Sequence, residues 1–247
     1  MKNMRVRSFT MSKLGNKPQD CEDYFAWNAS RMKFAMADGA STSIFSDIWA
    51  RELTRVSVDA EESIMDGIDS PAEGIIRSAR IAWYKSIQWA TLPWFLRNKA
   101  VSGSYSTLLL LQIAPLASSF RYSAYAVGDT CLFMIRRKKI TGSFPLSSPE
   151  QFGISPKLVW SGKGSPLPGD IRVQVPKFQS QAGIIEPGEI LLLATDALSR
   201  WLLETGRIDD LLHRIDHPHE MNKFLAGEIN SKRMRNDDVA LATIEII

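Results

Sequence analysis

The segment MKFAMADG, residues 32–39, is an apolar run that ends in a carboxylate followed by a glycine. Its continuous apolar character predicts a buried strand. Asp-Gly pairs are common in turns, so the simplest interpretation of Asp38 and Gly39 is a hairpin bend. A second interpretation, a binding site at the strand end, depends on whether other strands of the chain end in the same way.

Acidic residues lie at the ends of four further strand-like segments, after AYAVG and ILLLAT and before YFAW and VALATIEII. They are Asp129, Asp196, the pair Glu22-Asp23 and the pair Asp237-Asp238. One such residue is most often an ordinary turn residue, but repeated placement at strand ends suggests carboxylates gathered at one edge of the sheets. An all-oxygen cluster suits Mg²⁺ or Mn²⁺ better than zinc, which prefers His and Cys ligands.

The composition of the 247-residue chain predicts a globular protein with a mixed surface. Hydrophobic residues make up 45% of it, and 30 Lys and Arg stand against 27 Asp and Glu, a net charge of +3. A nucleic-acid-binding face would need clustered basic residues. The one dense basic run, RRKK at 136–139, follows the apolar CLFMI and is expected in a solvated hairpin. We therefore expect no nucleic-acid partner.

Cys21 and Cys131 are the two cysteines and lie in separate segments without CxxC spacing, which is typical of a reducing compartment. The N-terminal MKNMRVRSFT has no apolar core of the kind found in secretory signals. The longest apolar stretch, around LLLLQIAPLA, is shorter than the roughly 20 residues that span a bilayer. The sequence thus predicts a soluble, cytoplasmic protein that does not associate with membranes.

Helical and strand-like patterns follow one another along the chain without an internal repeat or a clear linker. Residues 44–56 and 75–87 carry apolar residues at helical spacing, whereas strand-like segments dominate from residue 104 onward. Residues 142–188 are rich in Pro, Gly and Ser, have weak periodicity and predict an irregular, flap-like excursion. We expect a single domain over residues 1–247.

Other catalytic signatures are missing from the sequence. It contains no GxSxG, GxGxxG or P-loop motif. His213, His217 and His219 lie in one segment, but no Cys or HExxH motif accompanies them, which favours a surface loop. Metal-assisted chemistry on the carboxylates is the mechanism that the residues support.

Six motifs together carry a family resemblance. CED, FAMADG, GSYSTLLLL, YSAYAVGDT, ILLLATDALSRWL and NDDVALATIEI occur in the order and approximate spacing of the metal-dependent serine/threonine phosphatases of the protein phosphatase 2C type. The resemblance spans about residues 8–247 and is stronger to bacterial members. It implies an α+β fold, a four-layer α-β-β-α sandwich of two mostly antiparallel sheets flanked by helices.

The resemblance also implies a two-metal centre for Mg²⁺ or Mn²⁺ in a cleft at one end of the sandwich. Carried over to this sequence, the metal ligands would be Glu22, Asp38, the backbone carbonyl of Gly39, Asp196 and Asp237. In this assignment Asp38 bridges the two ions. A hydroxide that bridges the metals would attack phosphorus directly, so no protein nucleophile is needed.

Four further positions are assigned by the same resemblance. Asp23 would orient the metal-bound water, and Asp129 could support a third, weaker metal site. The family's phosphate-binding arginine is missing, and Lys17 is the nearest upstream basic residue that could contact phosphate. The family's general-acid histidine is replaced by Ala40. The final motif reads DD rather than DN, so either acid could be the ligand, and the alignment favours Asp237 over Asp238.

The leading hypothesis is a metal-dependent phosphatase that hydrolyses phosphoserine or phosphothreonine. Its partners would be a phosphorylated protein and the cognate Ser/Thr kinase, and we expect a monomer. An alternative is a catalytically weak, phosphatase-like regulatory or binding module, which the missing histidine and arginine favour. A carboxylate-lined metal nuclease is a third hypothesis, disfavoured by the balanced charge. The excursion at 142–188 is a candidate for substrate selection.

Overall fold

Alternation of side chains along the strands determines how this chain folds into layers. The computed structural model describes residues 4–153, 156–162 and 175–247. Two five-stranded sheets dominate it, and every strand pairing within them is antiparallel. A pair of two-residue strands, β4 and β9, forms a small third sheet.

The strands are β1 (Met4–Met11), β2 (Asp23–Asn28), β3 (Lys33–Asp38), β4 (Tyr105–Ser106), β5 (Leu108–Pro115), β6 (Phe120–Val127), β7 (Cys131–Arg136), β8 (Lys139–Phe144), β9 (Val159–Trp160), β10 (Gln179–Ile185), β11 (Ile190–Ala194) and β12 (Val239–Ile246). The first sheet has the order β1-β12-β11-β7-β8, and the second has the order β10-β6-β5-β3-β2. The first and last long strands therefore pair with each other, through β1 and β12.

The helices are α1 (Ser46–Asp59), α2 (Asp69–Ser86), α3 (Trp94–Val101), α4 (Asp196–Thr205), α5 (Ile208–Leu212) and α6 (Pro218–Asn230). Both α1 and α2 place apolar residues on one face, and Trp49 of α1 meets Trp83 of α2 edge to face, with ring centroids 6.5 Å apart. Edge-to-face contact suits the charge distribution of aromatic rings. Helix α4 ends at Gly206, which adopts the left-handed conformation typical of a helix stop.

Three apolar clusters separate the four layers. The central cluster lies between the sheets and contains Phe34, Met36 and Leu193. Ala35, which lies between Phe34 and Met36 in β3, packs with α1 and α2 on the opposite face of the sheet. A third cluster joins the first sheet to α4, α5 and α6. Alternate residues of a strand point to opposite faces. The continuous apolar run of β3 is therefore buried on both sides, and the predicted four-layer α-β-β-α sandwich is confirmed.

The basic run and the three histidines both lie at the surface of the protein. The basic run at 136–139 forms the turn between β7 and β8, with Arg137 and Lys138 exposed and in the left-handed conformation. His213, His217 and His219 are exposed, as predicted, but they do not form one loop: His213 follows α5, His217 precedes α6 and His219 lies within α6. No helix in the described ranges is both long and apolar enough to cross a membrane.

The excursion predicted over residues 142–188 is only partly irregular. Residues 179–185 form β10, an edge strand that pairs with β6 along its whole length. Its weak periodicity has a physical reason, because most of its residues are wholly or partly exposed on both faces. Residues 154–155 and 163–174 of this segment lie outside the described residues.

Candidate active site

Two neighbouring strands bring the first acidic residues together. Asp23 begins β2 and Asp38 ends β3, and the antiparallel register places them directly opposite each other. The backbone of Asp38 is fixed by Thr107, whose hydroxyl accepts from the Asp38 N–H at 2.9 Å and whose N–H donates to the Asp38 carbonyl at 2.9 Å. The Ser106 hydroxyl donates to the same carbonyl at 2.8 Å. The carboxylate of Asp38 therefore projects from a rigid strand end.

Gly39 follows at a point where no side chain fits. Its N–H donates to the Glu22 carbonyl at 3.1 Å. A Cβ at this position would lie 2.8 Å from the backbone carbon and oxygen of Ser46 and 3.0 Å from the Glu22 carbonyl oxygen. These are backbone atoms that cannot move aside, so the close approach of the two chain segments requires glycine.

The other sheet supplies the remaining acids. Asp196 is the first residue of α4, immediately after β11, and Asp237 lies just before the neighbouring strand β12. Asp129 occupies the turn between β6 and β7 and is buried. One oxygen of Asp196 accepts from the N–H of Ala197 at 2.5 Å. Adjacent strand ends thus gather carboxylates from both sheets at one end of the sandwich.

Asp38, Asp129, Asp196 and Asp237 line an open cleft of about 1230 Å³, whereas the buried Asp23 is not among its lining residues. Its acidic lining consists of Asp38, Asp129, Asp196, Asp237 and Glu204, and Gly39 and the segment Ala40-Ser41-Thr42 form part of its wall. Its basic lining consists of Arg200, Lys232, Arg233 and Arg235. The predicted carboxylates of four different strand ends therefore share a single cleft, with cations at its rim.

Burial and mutual repulsion perturb the acids. Burial raises the pKa of Asp23 well above its usual range, and a hydrogen bond from the Thr195 hydroxyl opposes this rise. The negative charges of Asp196, Asp238 and Asp237 raise the pKa as well. Burial likewise raises the pKa of Asp38, with Asp23 the strongest of the neighbouring charges. In the described part of the chain, the Oδ2 atom of Asp23 is buried without a hydrogen-bond partner. An unpaired buried oxygen is costly, and it marks a place that a proton or cation would stabilise.

Arg235 partly neutralises the second group of acids. Its guanidinium lies 3.2 Å from Oδ2 of Asp196 and 2.8 Å from Oδ2 of Asp237. Burial, together with the negative charges of Asp129 and Asp237, raises the pKa of Asp196 to about 6, and Arg235 opposes this rise. Burial also raises the pKa of Asp129, again against the effect of Arg235. Nothing in the sequence singled out this arginine, because its two partners are distant in the chain or defined only by the loop path.

Glu22 is not among the residues that line the cleft. Its carboxylate accepts hydrogen bonds from the hydroxyls of Ser41 and Ser46, and Lys13 Nζ lies 4.0 Å from it. Within the described ranges, no three His, Cys, Asp or Glu side chains are already arranged to hold a metal ion. Glu22 is engaged by the two serines, and Arg235 pairs with Asp196 and Asp237.

Two sequence assignments become clearer from their surroundings. Asp238 is buried, and its two oxygens accept from the backbone N–H groups of Lys13 and Glu22, both at 2.8 Å. It therefore fastens the segment before β2 to the start of β12, and Asp237 is the acid that faces the cleft. Lys17 is exposed, precedes a short turn at Pro18–Asp20 and is not part of the cleft lining. Among the described residues, Lys13 is the lysine that forms an ion pair with a predicted site acid, with its Nζ 4.0 Å from Glu22.

Solved structures resemble the whole chain. The catalytic domain of the serine/threonine protein phosphatase PstP in complex with two manganese ions is 14% identical, with 99% of each chain covered and a TM-score of 0.62. PstP/Ppp of Mycobacterium tuberculosis is 14% identical, with 98% of each chain covered and a TM-score of 0.63. PppA, a key regulatory component of T6SS in Pseudomonas aeruginosa, is 17% identical over 99% of this chain and 98% of its own, with a TM-score of 0.58.

The chain thus has the fold of the bacterial serine/threonine phosphatases to which it is similar, the fold expected from the six sequence motifs. No protein-family model matches the chain, and no curated protein matches it. At these low identities the likeness is one of fold, and an activity can be inferred only from the residues of the cleft.

Proposed function

We propose that this chain is a Mg²⁺- or Mn²⁺-dependent phosphatase that hydrolyses phosphoserine or phosphothreonine in proteins. The observation that carries the proposal is the pair of Asp23 and Asp38, directly opposite each other where β2 begins and β3 ends. Asp23 is buried with an Oδ2 that has no hydrogen-bond partner among the described residues, and the partly buried Asp38 lines the cleft beside it. A fold rarely places two such carboxylates opposite each other unless a proton or a cation compensates them.

The donor set fits hard divalent cations, which take carboxylate and carbonyl oxygens. Asp38, Asp196, Asp237 and the carbonyl of Gly39 would hold two ions, and Asp129 would serve a third. When bound, such ions neutralise phosphoryl oxygens and lower the pKa of a coordinated water, which allows a direct in-line displacement. Glu22 would join them after leaving the two serine hydroxyls that engage it now.

The remaining roles belong to side chains of this chain. Asp23 would accept a proton from the attacking water at Oδ2, the buried oxygen that has no other hydrogen-bond partner among the described residues. A carboxylate with a raised pKa is a better base near neutral pH. Ala40 offers no proton donor where the resemblance leads one to expect histidine, so the leaving alkoxide would take its proton from water.

The test is metal-dependent hydrolysis of a phosphothreonine peptide by the full chain. We expect Asp38→Asn and Asp196→Asn to lose at least about 100-fold in kcat/KM, and EDTA to abolish turnover. Asp66→Asn is the matched control, because Asp66 is a highly exposed aspartate distant in sequence from the cleft residues. Turnover that survives EDTA, or both cleft substitutions, would refute the mechanism.

A second candidate is a catalytically weak binding or regulatory module of the same fold. The engagement of Glu22 by Ser41 and Ser46 favours it, as does the pairing of Arg235 with two of the acids. Calorimetric titration with Mn²⁺ distinguishes the two, since the enzyme needs two ions and a binding module does not. A phosphoprotein substrate would in turn require a Ser/Thr kinase to supply it, and we propose that the chain acts on it as a cytoplasmic monomer.

A further inference from the structure

Arg235 is the cation most closely associated with the candidate metal ligands. Its guanidinium spans Asp196 and Asp237, at 3.2 and 2.8 Å, and its side chain is 66% exposed. The two carboxylates come from the ends of adjacent strands, so one guanidinium neutralises acids of two separate chain segments. Ion pairs made by a long, solvent-exposed side chain of this kind are weak and can exchange partners.

The backbone that carries Arg235 is fixed on both sides. Met234 before it is buried. Asn236 after it accepts from the Leu14 N–H at 2.7 Å and donates to the Leu14 carbonyl at 3.2 Å. Asp238 is held by the two backbone N–H groups described above. The Cα of Arg235 is therefore held at the rim, while its long side chain can change direction.

The other arginines of the cleft differ in their partners. Arg200 is bound by Glu204 at 2.8 Å, and Arg233 is bound by the buried Glu228 through two contacts of 2.9 Å. Neither glutamate is a candidate metal ligand. A divalent cation that takes Asp196 and Asp237 would therefore release Arg235 and leave those two pairs intact.

We propose that Arg235 is an exchangeable counter-ion, which holds Asp196 and Asp237 in the metal-free protein and contacts the phosphoryl oxygens of the substrate once divalent cations bind. The inference rests on the proposed function. A guanidinium offers parallel N–H donors that match phosphate oxygens as well as carboxylates. The released side chain would already lie beside the site where the phosphoryl group must sit. It would supply the arginine contact that Lys17, which is not part of the cleft lining, does not provide.

The experiment measures metal and phosphate binding separately from turnover. Mn²⁺ is titrated calorimetrically into the full chain and into Arg235→Ala, Arg235→Lys and Arg200→Ala at low ionic strength near neutral pH. Inorganic phosphate is then titrated into each Mn²⁺-loaded protein. Arg200→Ala is the matched control, since it removes an arginine from the same cleft whose carboxylate partner is Glu204.

We expect Arg235→Ala to bind Mn²⁺ roughly three- to tenfold more tightly, because the cation no longer displaces two ion pairs. The same variant should bind phosphate at least about tenfold more weakly, and Arg235→Lys should regain only part of that affinity. Arg200→Ala should change both constants by less than about twofold.

Unchanged or weaker Mn²⁺ binding by Arg235→Ala would overturn the counter-ion role, and unchanged phosphate binding would overturn the substrate role. An equal effect in Arg200→Ala would also overturn the inference, because the effect would then be one of net charge. If the unsubstituted chain bound no Mn²⁺, the proposed function and this inference would both fail. If it bound Mn²⁺ and hydrolysed phosphopeptide while Arg235→Ala behaved identically, only the inference would fail.

Discussion

Replacing Asp23 by asparagine should stabilise the metal-free protein while it removes phosphatase activity. The side chain is 5% exposed, its Oδ2 has no hydrogen-bond partner among the described residues, and it lies opposite Asp38. Asparagine has nearly the same shape, carries no charge and can donate to the Asp38 carboxylate. The substitution therefore removes a repulsion without leaving a cavity.

The size of the effect follows from the register. Residues directly opposite in an antiparallel pair have Cβ atoms about 5 Å apart. Two unit charges at about 5 Å in an effective dielectric of about 20 repel by roughly 3 kcal/mol, which is the upper bound on the stabilisation because a bound proton relieves part of the repulsion. For a chain of this length, a change of that size corresponds to a Tm increase of roughly 6–12 °C.

The effect of Asp23→Asn on the free energy of unfolding should depend on pH. Burial and neighbouring charges raise the pKa of Asp23, so the folded state holds a proton that the unfolded state releases. The free energy of unfolding of the metal-free protein therefore falls as pH rises above the unfolded value of about 3.9. The stabilisation by Asp23→Asn should be largest at about pH 7.5 and nearly absent at about pH 4.

The assay is urea denaturation in EDTA at both pH values, with Asp66→Asn as the control, followed by phosphopeptide turnover with Mn²⁺. Turnover of Asp23→Asn should fall at least about 100-fold, the usual contribution of a positioned base. A variant less stable than the parent at the higher pH, or a stabilisation equal at both pH values, would contradict the reasoning.

Two further substitutions test the construction of the site. Gly39→Ala puts a Cβ 2.8 Å from the backbone of Ser46 and should lower both Tm and turnover. Gly74→Ala is the control, because a Cβ there meets nothing within 4 Å, and it should raise the free energy of unfolding by up to about 1 kcal/mol. Equal effects of the two substitutions in thermal melts would argue against the close approach at Gly39. Hydrogen bonds from Arg233 lower the pKa of the buried Glu228 to about 2, so Glu228→Gln should cost about 2–3 kcal/mol in urea denaturation at neutral pH. That cost should shrink as pH falls below about 4 towards the folded pKa, and a cost that did not change with pH would show that the charge of Glu228 is unimportant.

The four layers were predicted from the resemblance of six motifs to a known family, and the local patterns of the strands agree with them. Alternation and apolar runs decide which faces of a strand are buried, and β3 shows this directly, with Phe34 and Ala35 on opposite faces. The edge strand β10 was missed for the complementary reason. Its exposed residues carry no burial pattern, and its pairing with β6 arises from backbone hydrogen bonds that any sequence can make.

In the candidate site, too, the sequence predicted what depends on neighbouring residues and not what depends on distant contacts. The sequence by itself determined that acids stand at the ends of buried strands and that glycine follows Asp38, because these are properties of neighbouring residues. Only the tertiary structure decided that Asp23 faces Asp38, that Asp238 fastens backbone rather than facing the cleft, and that Arg235 pairs with Asp196. Those contacts join residues far apart in the chain, and they depend on sheet register and loop path, which no local pattern encodes.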